Sequence, residues 1–465
     1  MKNLSPRILL FLLGALLSGC LAIRDIPLDK ADFYRSTLSE IDQVPPPRPA
    51  GASQAVLLAG AAKAALPLAP GLPMAGYGKR IWTAKAIHEP LFARALALKL
   101  GEERVVLISV DLLAVTDEMR EAVLRKIRAK RPFPSHALMI SATHTHSGPG
   151  ALSSGFLEQF AAGPFDRDFF EKATDTIAEA ALNANEALQP ARISHGVAAA
   201  PEWIRNRMIP SGPVDPELRF VEFLGEVGQR IAAIVNFSAH ATVLKPDNLA
   251  FSGDYPGFFE AALEEEGGVV LFTAGSVADQ TPHPPEGSDA FQRAEAMGRA
   301  LARKVRESRR ILPEAVWSLS AETLSIALPP PQVKVGPDRR LATFLAAPFF
   351  DSETILQTIR IGPILLIGIP ADLSVVLGEK MKAHARQRGM EAIIVGFAND
   401  YIGYLLPHDL YRTDAYEARV SFHGPQMGEY LTEVVERLID RMSGPPPLPP
   451  APPGAAGRAG SRGIE

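Results

Sequence analysis

Residues 137–150 read ALMISATHTHSGPG, and this stretch places a polar turn with two histidines directly after an apolar run. Residues 137–140 have the length and composition of a buried β-strand. On an extended chain, residues two apart face the same side, so His144 and His146 are predicted to point into one cleft. The turn at 147–150 is predicted to leave this pair at an open edge of the fold. Taken alone, the pair is as typical of two surface or hydrogen-bonded histidines as of a metal site.

Other apolar runs along the chain are also followed by polar residues. Further Val- and Ile-rich runs lie at 105–110, 231–237, 269–272, 364–369 and 392–395. Amphipathic helical patterns lie at 117–130, 166–188, 255–266, 289–309 and 374–388. Apolar strands that alternate with helices predict an α/β fold, a layered mixed sheet domain with flanking helices. Polar residues follow several of the strands, so the active site is predicted at the C-terminal ends of the strands.

Two of these polar residues are metal-ligand types. His240 follows the predicted strand 231–237, where a neutral imidazole is a good nitrogen ligand for zinc, although a lone histidine there is also typical of a hydrogen-bonded core residue. Asp372 offers a carboxylate at another strand end. Because the helix predicted for 374–388 starts just after it, Asp372 is also a natural helix cap. The residues alone leave both alternatives open.

The N-terminal segment is predicted to be a lipoprotein signal peptide over residues 1–20. A basic start precedes the apolar residues 8–17, and Leu17-Ser18-Gly19-Cys20 follows. About ten apolar residues are too few for a bilayer core that needs roughly 20. Leu-Ser-Gly-Cys resembles the bacterial lipobox, which implies lipidation at Cys20 and a lipid-anchored place in the cell envelope. Because Leu21 is not Asp, the resemblance to bacterial sorting implies the outer membrane, facing the periplasm or the exterior.

The remaining chain has the composition of a globular protein, with 47% hydrophobic residues and a net charge of −4. Both signs of charge are interspersed, so no nucleic-acid partner is expected. Cys20 is the only cysteine, which excludes disulfides and thiolate sites. We expect a tether over 21–53, one folded domain over 54–443 and a disordered Pro/Gly/Ala-rich tail over 444–465. Nothing in the sequence sets the oligomeric state.

A set of motifs resembles the catalytic domain of the neutral/alkaline, non-lysosomal ceramidases, in the same order along the chain. The motifs are SATHTHSGPG at 141–150, NR at 206–207, NFSAH at 236–240, SGDYPG at 252–257, DQTP at 279–282, IPAD at 369–372, NDYIGY at 399–404 and YEARVSFHGP at 416–425. The resemblance covers residues 66–441. A His-Thr-His-Ser-Gly-Pro-Gly string is fairly specific by itself, and the ordered set is more so.

The resemblance implies a catalytic zinc ion and the residues around it. The implied zinc ligands are His144, His240, Asp372 and Tyr404. The residues implied to act on the substrate are His146 and Arg207 beside its amide and head group, Tyr416 in the same pocket, and Thr281 at the position of the family's active-site serine. Zinc with two nitrogen and two oxygen ligands keeps a position open for water or a carbonyl. Without the family, a surface ion pair for Arg207 and an ordinary half-buried role for Tyr416 remain open.

Three departures from the family pattern concern the substrate. Thr281 keeps the hydroxyl of the family's serine but adds a methyl group that restricts its rotamers. Asp372 stands where the family has glutamate, and it is one methylene shorter. The C-terminal β-sandwich of the family has no counterpart in the proline-rich residues 444–465.

These observations lead to the hypothesis of a zinc-dependent amide hydrolase. We expect it to cleave the N-acyl bond of ceramide or a related N-acyl lipid, which releases a fatty acid and an amine. One alternative is an amidase of the same superfamily that acts on a non-sphingoid substrate. The other is a non-catalytic, lipid-binding lipoprotein of this fold.

Overall fold

The computed structural model describes residues 20–45, 55–78, 80, 82–309 and 318–443. The strands of these residues are, in chain order, β1 (Cys20–Ala22), β2 (Leu58–Ala65), β3 (Ala86–Ile87), β4 (Phe92–Leu100), β5 (Glu103–Val110), β6 (Leu138–Ala142), β7 (Gln189–Pro190), β8 (Arg192–Ala199), β9 (Ile204–Asn206), β10 (Glu217–Leu224), β11 (Arg230–Phe237), β12 (Ala250–Phe251), β13 (Val269–Ala274), β14 (Gln280–Pro282), β15 (Leu319–Ala327), β16 (Lys334–Gly336), β17 (Arg339–Leu341), β18 (Glu353–Ile361), β19 (Ile364–Gly368), β20 (Asp372–Leu373), β21 (Glu391–Val395) and β22 (Tyr404–Leu405).

The helices of the same residues are α1 (Asp32–Gln43), α2 (Asp117–Arg128), α3 (Phe156–Ala162), α4 (Arg167–Glu186), α5 (Asp254–Glu264), α6 (Ala290–Ser308), α7 (Thr343–Ala346), α8 (Val375–Gln387), α9 (His408–Tyr411), α10 (Tyr416–Arg419) and α11 (Met427–Ser443). Short 3-10 turns lie at Leu28–Lys30, Ser135–Ala137, Pro201–Trp203 and Ala347–Phe349. No helix in the described ranges is long and apolar enough to cross a membrane.

Three mixed sheets form the centre of the fold. Their strand orders are β6-β5-β4-β2-β7, β13-β11-β10-β8 and β15-β18-β19-β21. In each sheet the strands are antiparallel except for one parallel pair at an edge: β5 with β6, β11 with β13, and β19 with β21. These six parallel strands are the six that the apolar runs predict. The predicted α/β fold of layered mixed sheets with flanking helices is confirmed.

The sheets share one apolar layer, and the helices cover their outer faces. Fully buried side chains such as Leu96, Val221 and Leu366 bring all three sheets into one cluster. A second cluster packs α2, α4, α5 and α6 against the first two sheets. A third packs α1, α8 and α11 against the last sheet. Strands covered on both faces explain why the parallel pairs read as continuous apolar runs.

The five predicted helices are all present, as α2, α4, α5, α6 and α8, and three begin at a side-chain cap that the sequence provides. The side chains of Thr116, Asp166 and Asp289 accept hydrogen bonds from backbone N–H groups in the first turns of α2, α4 and α6. Such caps satisfy backbone donors that have no partner within the helix. The predicted helix boundaries therefore agree with the structure to within a few residues.

The first part of the predicted tether is folded, which corrects the sequence expectation for residues 21–45. The β1 strand pairs with β17, and α1 packs against the third sheet through Ile41, which is 4% exposed. The Thr37 hydroxyl accepts hydrogen bonds from the Tyr430 hydroxyl and from the Ala327 N–H. The few apolar residues of α1 lie on one face, so a polar composition concealed an amphipathic helix. Residues 1–19, 46–54 and 444–465 lie outside the described residues, so the signal peptide and the tail stay predictions.

Substitution of Ile41 tests whether α1 is part of the folded domain. Ile41→Ala should lower the free energy of unfolding by roughly 2–4 kcal/mol, because it removes buried methyl groups and leaves a cavity against the sheet. The measurement is the midpoint of denaturant unfolding followed by circular dichroism. Glu40→Ala, at an exposed position next to Ile41, is the control and should leave the midpoint unchanged. Equal midpoints for both variants would mean that α1 does not contribute to the core.

Candidate metal centre

The residues proposed as ligands lie beyond the C-terminal ends of strands from all three sheets. His144 follows β6, and His240 follows β11. Asp372 opens β20 shortly after β19, and Tyr404 opens β22 shortly after β21. The two short strands are parallel, and Asp372 is paired with Tyr404 in their register. The fold therefore gathers these four residues at one edge, where the sequence predicts the site.

The His-Thr-His segment converges by a different route from the predicted one. The β6 strand ends at Ala142, and His144 has a φ of 62° in the left-handed region rather than an extended conformation. Its ring stacks on Phe397 with 3.8 Å between ring centroids. His144 and His146 are only 3% and 9% exposed, so the expectation of an open edge is wrong. The turn after the pair packs inside the fold, and both rings are enclosed.

Backbone carbonyls determine which nitrogen of each histidine faces the site. His144 Nδ1 lies 2.7 Å from the carbonyl oxygen of Leu113, and His240 Nδ1 lies 2.8 Å from that of Val277. A carbonyl oxygen only accepts hydrogen bonds, so each Nδ1 carries the proton and donates it. The Nε2 lone pairs of both rings are therefore free to bind a metal. This is the outer hydrogen bond that metal-ligating histidines normally make.

Five side chains bring donor atoms within a few ångströms of one another. His144 Nε2 lies 3.1 Å from His146 Nε2 and 3.7 Å from Asp372 Oδ1. His240 Nε2 lies 3.3 Å from Asp372 Oδ1 and 3.4 Å from Tyr404 Oη. Ligand atoms at about 2.0–2.1 Å around one tetrahedral zinc are separated by about 3.4 Å. The cluster therefore has the dimensions of a single metal site, and His146 is one of its three histidines.

Burial leaves the two histidines neutral, as metal binding requires, and it disfavours an isolated negative charge on Asp372. Burial lowers the pKa of His144 to about 3 and that of His240 well below its usual value, so both rings are neutral. Burial raises the pKa of the Asp372 carboxyl to about 7. Among the described residues, Asp372 Oδ1 has no hydrogen-bond partner although it is buried. Such an unpaired oxygen beside two nitrogen lone pairs fits a bound cation.

Asp372 is not the helix cap that the sequence left open. Ser374 occupies the N-cap position of α8, and the Val375 N–H donates to Asp279 Oδ1 at 3.0 Å. Asp279 therefore caps the helix from another strand end. Asp372 Oδ2 instead accepts a hydrogen bond from the Tyr401 hydroxyl at 2.7 Å. The sequence analysis did not single out Tyr401, although it lies inside the 399–404 motif, three residues before Tyr404.

Arg207 and Tyr416 both reach Tyr404. The Arg207 guanidinium donates to Tyr404 Oη at 3.2 Å and to the carbonyl of Ala278, and it forms an ion pair with Glu417 at 2.9 Å. The Tyr416 ring meets the Tyr404 ring edge-on, with 6.1 Å between centroids, and is 63% exposed. Arg207 thus forms an ion pair, as its structural alternative proposes, and it also contacts the donor cluster through Tyr404. Glu417 adjoins Tyr416 in the 416–425 motif, and its contact with Arg207 is visible only in the fold.

Thr281 lies beside the cluster without joining it. It is half-buried in the middle of β14, where it is paired with Arg205 of β9. The carbonyl of the preceding residue, Gln280, lies 3.2 Å from His240 Nδ1. No hydrogen bond joins the Thr281 side chain to the donor atoms in the part of the chain that the structure describes. The backbone of β14 thus supports the cluster, and a role of the hydroxyl in catalysis stays a prediction.

A mostly apolar cavity leads away from the metal centre. Its volume is about 250 Å³, and Tyr401, Tyr404 and Tyr416 line the part next to the cluster. The apolar lining residues include Leu112, Met119, Leu152, Phe349, Val420 and Phe422. Cavities that combine apolar walls with a few polar groups at one end are typical of small-molecule sites. The arrangement suits a ligand with a polar group at the cluster and a hydrocarbon portion in the cavity.

Known proteins resemble this chain in both sequence and fold. The chain is 23% identical over 447 residues to the neutral ceramidase of Pseudomonas aeruginosa, which covers 76% of this chain and 67% of that protein. It is 28% identical over 222 residues to the neutral ceramidase of Mycobacterium tuberculosis, and that match spans 43% of this chain and 34% of the relative. The crystal structure of the Pseudomonas aeruginosa enzyme superposes with a TM-score of 0.75 at 22% identity, covering 84% of this chain and 75% of that one. The last match shows a common fold.

A family model agrees with these relatives. Residues 67–278 match the N-terminal model of the neutral/alkaline non-lysosomal ceramidases. His144, His146, Arg207 and His240 lie inside the matched range, whereas Asp372 and Tyr404 lie beyond it. The resemblance drawn from the motifs is thus confirmed: residues 67–278 are similar to the N-terminal domain of the neutral/alkaline non-lysosomal ceramidases.

Proposed function

We propose that this protein is a zinc-dependent amide hydrolase that cleaves the N-acyl bond of ceramide or a related N-acyl lipid and releases a fatty acid and an amine. One observation carries the proposal: a buried cluster of nitrogen and oxygen donors adjoins a mostly apolar cavity through Tyr404 and Tyr401. The named activity of the relatives, neutral ceramidases, supports the same class of reaction. The ligands in this proposal are His144, His240, Asp372 and Tyr404.

The donor set favours zinc over harder cations. Two imidazole nitrogens with one carboxylate and one phenol oxygen match the nitrogen-rich sites of zinc, whereas calcium and magnesium prefer oxygen ligands alone. When bound, such an ion polarises the amide carbonyl and activates water at neutral pH. Asp372 is shorter than the family's glutamate, yet its Oδ1 comes within 3.3 Å of His240 Nε2. The shorter carboxylate therefore still reaches the other donors.

The chain's own residues supply the remaining chemistry in this proposal. Attack on an amide carbonyl creates an oxyanion, and the Arg207 guanidinium, held by Glu417, provides a fixed positive charge next to Tyr404 for it. The departing amine needs a proton. His146 Nε2 lies 3.1 Å from His144 Nε2, which places the His146 ring directly beside the ligand cluster. We assign the transfer of this proton to His146.

The cavity supports a lipid as the substrate. Tyr404 and Tyr401 contact the donor cluster and also line the cavity, so one molecule can place its amide at the cluster and its chain among the apolar side chains. Each buried methylene contributes about 0.8 kcal/mol to binding. A long acyl chain therefore gains more from this cavity than a short one.

Metal removal and a substrate panel test this function. Incubation with ceramide and other N-acyl lipids should release fatty acid detectable by mass spectrometry. A chelator should abolish the release, and added zinc should restore it, because the donors need a cation to act on the amide. If the zinc-loaded protein releases no fatty acid from any member of the panel, hydrolysis of N-acyl lipids is refuted.

Three histidine variants extend the same experiment, and one of them is a matched control. His240→Ala should fall from about one metal ion per chain to a small fraction, since the remaining ligands bind weakly. His136→Ala, at an exposed position near the start of β6, should keep both metal and activity. His146→Ala should keep metal and lose turnover, in line with its role as proton donor. Full metal occupancy in purified His240→Ala protein would refute the ligand assignment.

Substitutions of Thr281 test whether its hydroxyl acts in catalysis in place of the family's active-site serine. If its hydroxyl takes part directly, Thr281→Ala should lower kcat about a hundredfold with metal retained, which corresponds to a lost transition-state hydrogen bond of roughly 3 kcal/mol. Thr281→Ser keeps the hydroxyl without the methyl group and should stay active. Steady-state kinetics of the three proteins on one N-acyl lipid is the measurement. Near-normal turnover of the alanine variant would remove Thr281 from the mechanism.

We propose in addition that Cys20 carries the lipid anchor and that the protein resides in the cell envelope, at the outer membrane. Cys20→Ala should move the protein from the washed membrane fraction to the soluble fraction, because several acyl chains anchor durably whereas weak surface contacts do not. Immunoblots of fractionated cells measure this distribution. A variant that still sediments quantitatively with washed membranes would show that another segment provides the anchor.

A further inference from the structure

Large aromatic side chains are exposed together near the mouth of the cavity. In the described residues four phenylalanines are exposed: Phe156 at 58%, Phe160 at 74%, Phe344 at 75% and Phe349 at 49%. Phe156 lies 5.1 Å from Phe160 and 5.5 Å from Phe349 between ring centroids. A soluble surface scatters its apolar residues, so a contiguous aromatic patch points to a binding surface.

The patch is built from two segments that are far apart in sequence. Phe156 and Phe160 stand one turn apart on α3. Phe344 and Leu345 lie on α7, which continues directly into the 3-10 turn that contains Phe349. Leu345 is 37% exposed. We call the surface formed by these five residues the aromatic rim. Two separate segments both present apolar side chains at this place. The chance exposure of a single loop therefore does not explain the patch.

The rim is continuous with the cavity. Phe349 belongs to the rim and also lines the cavity. Ala161 and Ala162, at the end of α3 next to Phe160, line the cavity as well. On its other side, Phe160 lines a groove together with Trp82, which is itself 66% exposed. A molecule that enters the cavity past Phe349 therefore crosses an aromatic surface on its way in.

The N-terminal strand places the predicted lipidation point close to the same surface. Cys20 is paired with Leu341 in the register of β1 and β17. Phe344 follows Leu341 by three residues, a span of at most about 11 Å. The backbone at residue 20 thus lies close to the start of α7. A lipid bilayer is the one partner of the aromatic rim that accounts for the apolar side chains, the adjoining apolar cavity and the predicted anchor nearby.

We propose that the aromatic rim docks into the interfacial layer of a phospholipid membrane and opens the cavity directly to membrane-embedded lipid. Aromatic side chains favour the membrane–water interface, where an apolar ring is buried without crossing the bilayer. A long-chain amide is scarcely soluble in water, and a docked rim lets it pass from the membrane into the cavity without leaving an apolar environment. The role of the rim in substrate access rests on the proposed lipid-amide function. The docking itself does not require catalysis.

Site-specific fluorescence tests the docking. The full chain with Cys20→Ala has no other cysteine, so Phe160→Cys and Phe344→Cys each introduce a single thiol for an environment-sensitive nitrobenzoxadiazole label. Addition of phosphatidylcholine vesicles should shift the emission of both labels to the blue. Val227→Cys is the matched control, because Val227 is 89% exposed between β10 and β11, at the end of β11 away from His240. Its label should not respond. Silent labels at both rim positions, or an equal shift at position 227, would overturn the proposal.

Kinetics separate docking from catalysis. Phe160→Ser combined with Phe344→Ser should lower hydrolysis of an N-acyl lipid in phosphatidylcholine vesicles on the order of tenfold. The same variant should hydrolyse a water-soluble, short-chain N-acyl amide at the unaltered rate, since neither residue lines the cavity. Equal loss on both substrates would overturn the role of the rim in substrate access. A protein that hydrolyses neither substrate but whose rim labels still respond to vesicles would refute the proposed function and leave the docking intact.

Discussion

The hydrogen bonds from the Nδ1 atoms of His144 and His240 to backbone carbonyls are the contacts on which the site depends. A neutral imidazole can present either nitrogen, and a carbonyl acceptor selects one of the two tautomers. Here the selection turns both Nε2 lone pairs toward the unpaired Oδ1 of Asp372. Three electron-rich atoms that face one another in a buried space repel unless a cation lies between them. The arrangement is therefore complementary to a metal ion, because the three atoms have no favourable interaction with one another.

Holding these atoms in place requires unusual backbone conformations. His144, Phe397 and Asn399 have φ values of 62°, 54° and 67°, a region that residues with a side chain rarely adopt. Packing compensates for the strain, because the Phe397 ring stacks on His144. The Asn399 side chain accepts from the Ile140 N–H and donates to Gln357 Oε1. Such strain persists where the surroundings determine the conformation several times over, and it concentrates at functional sites.

In the three central sheets, the sequence predicts the parallel pairs of strands and misses the remaining, antiparallel strands for a physical reason. Strands that are buried on both faces read as continuous apolar runs, and the six strands predicted in this way are the three parallel pairs. The β10 strand is equally buried but contains Glu222, which is 1% exposed. An ion pair with Arg230 at 2.9 Å compensates for that burial. The apolar pattern conceals such a strand because its charge acquires a partner only after the chain folds.

The sequence by itself determined the α/β class, five of the seven long helices in the described residues and the residue types that follow the strands. It also determined the resemblance to the neutral/alkaline non-lysosomal ceramidases, since the motifs that carry it are local strings in a fixed order. Only the tertiary structure decided what those residues do with one another. Asp372 faces His240 instead of capping α8 because Asp279, 93 positions earlier in the chain, occupies the cap. The direction of the His144 ring depends in the same way on a carbonyl 31 positions away, at Leu113. Contacts between distant segments leave no local pattern in the sequence, so the geometry of the metal centre became visible only in the fold.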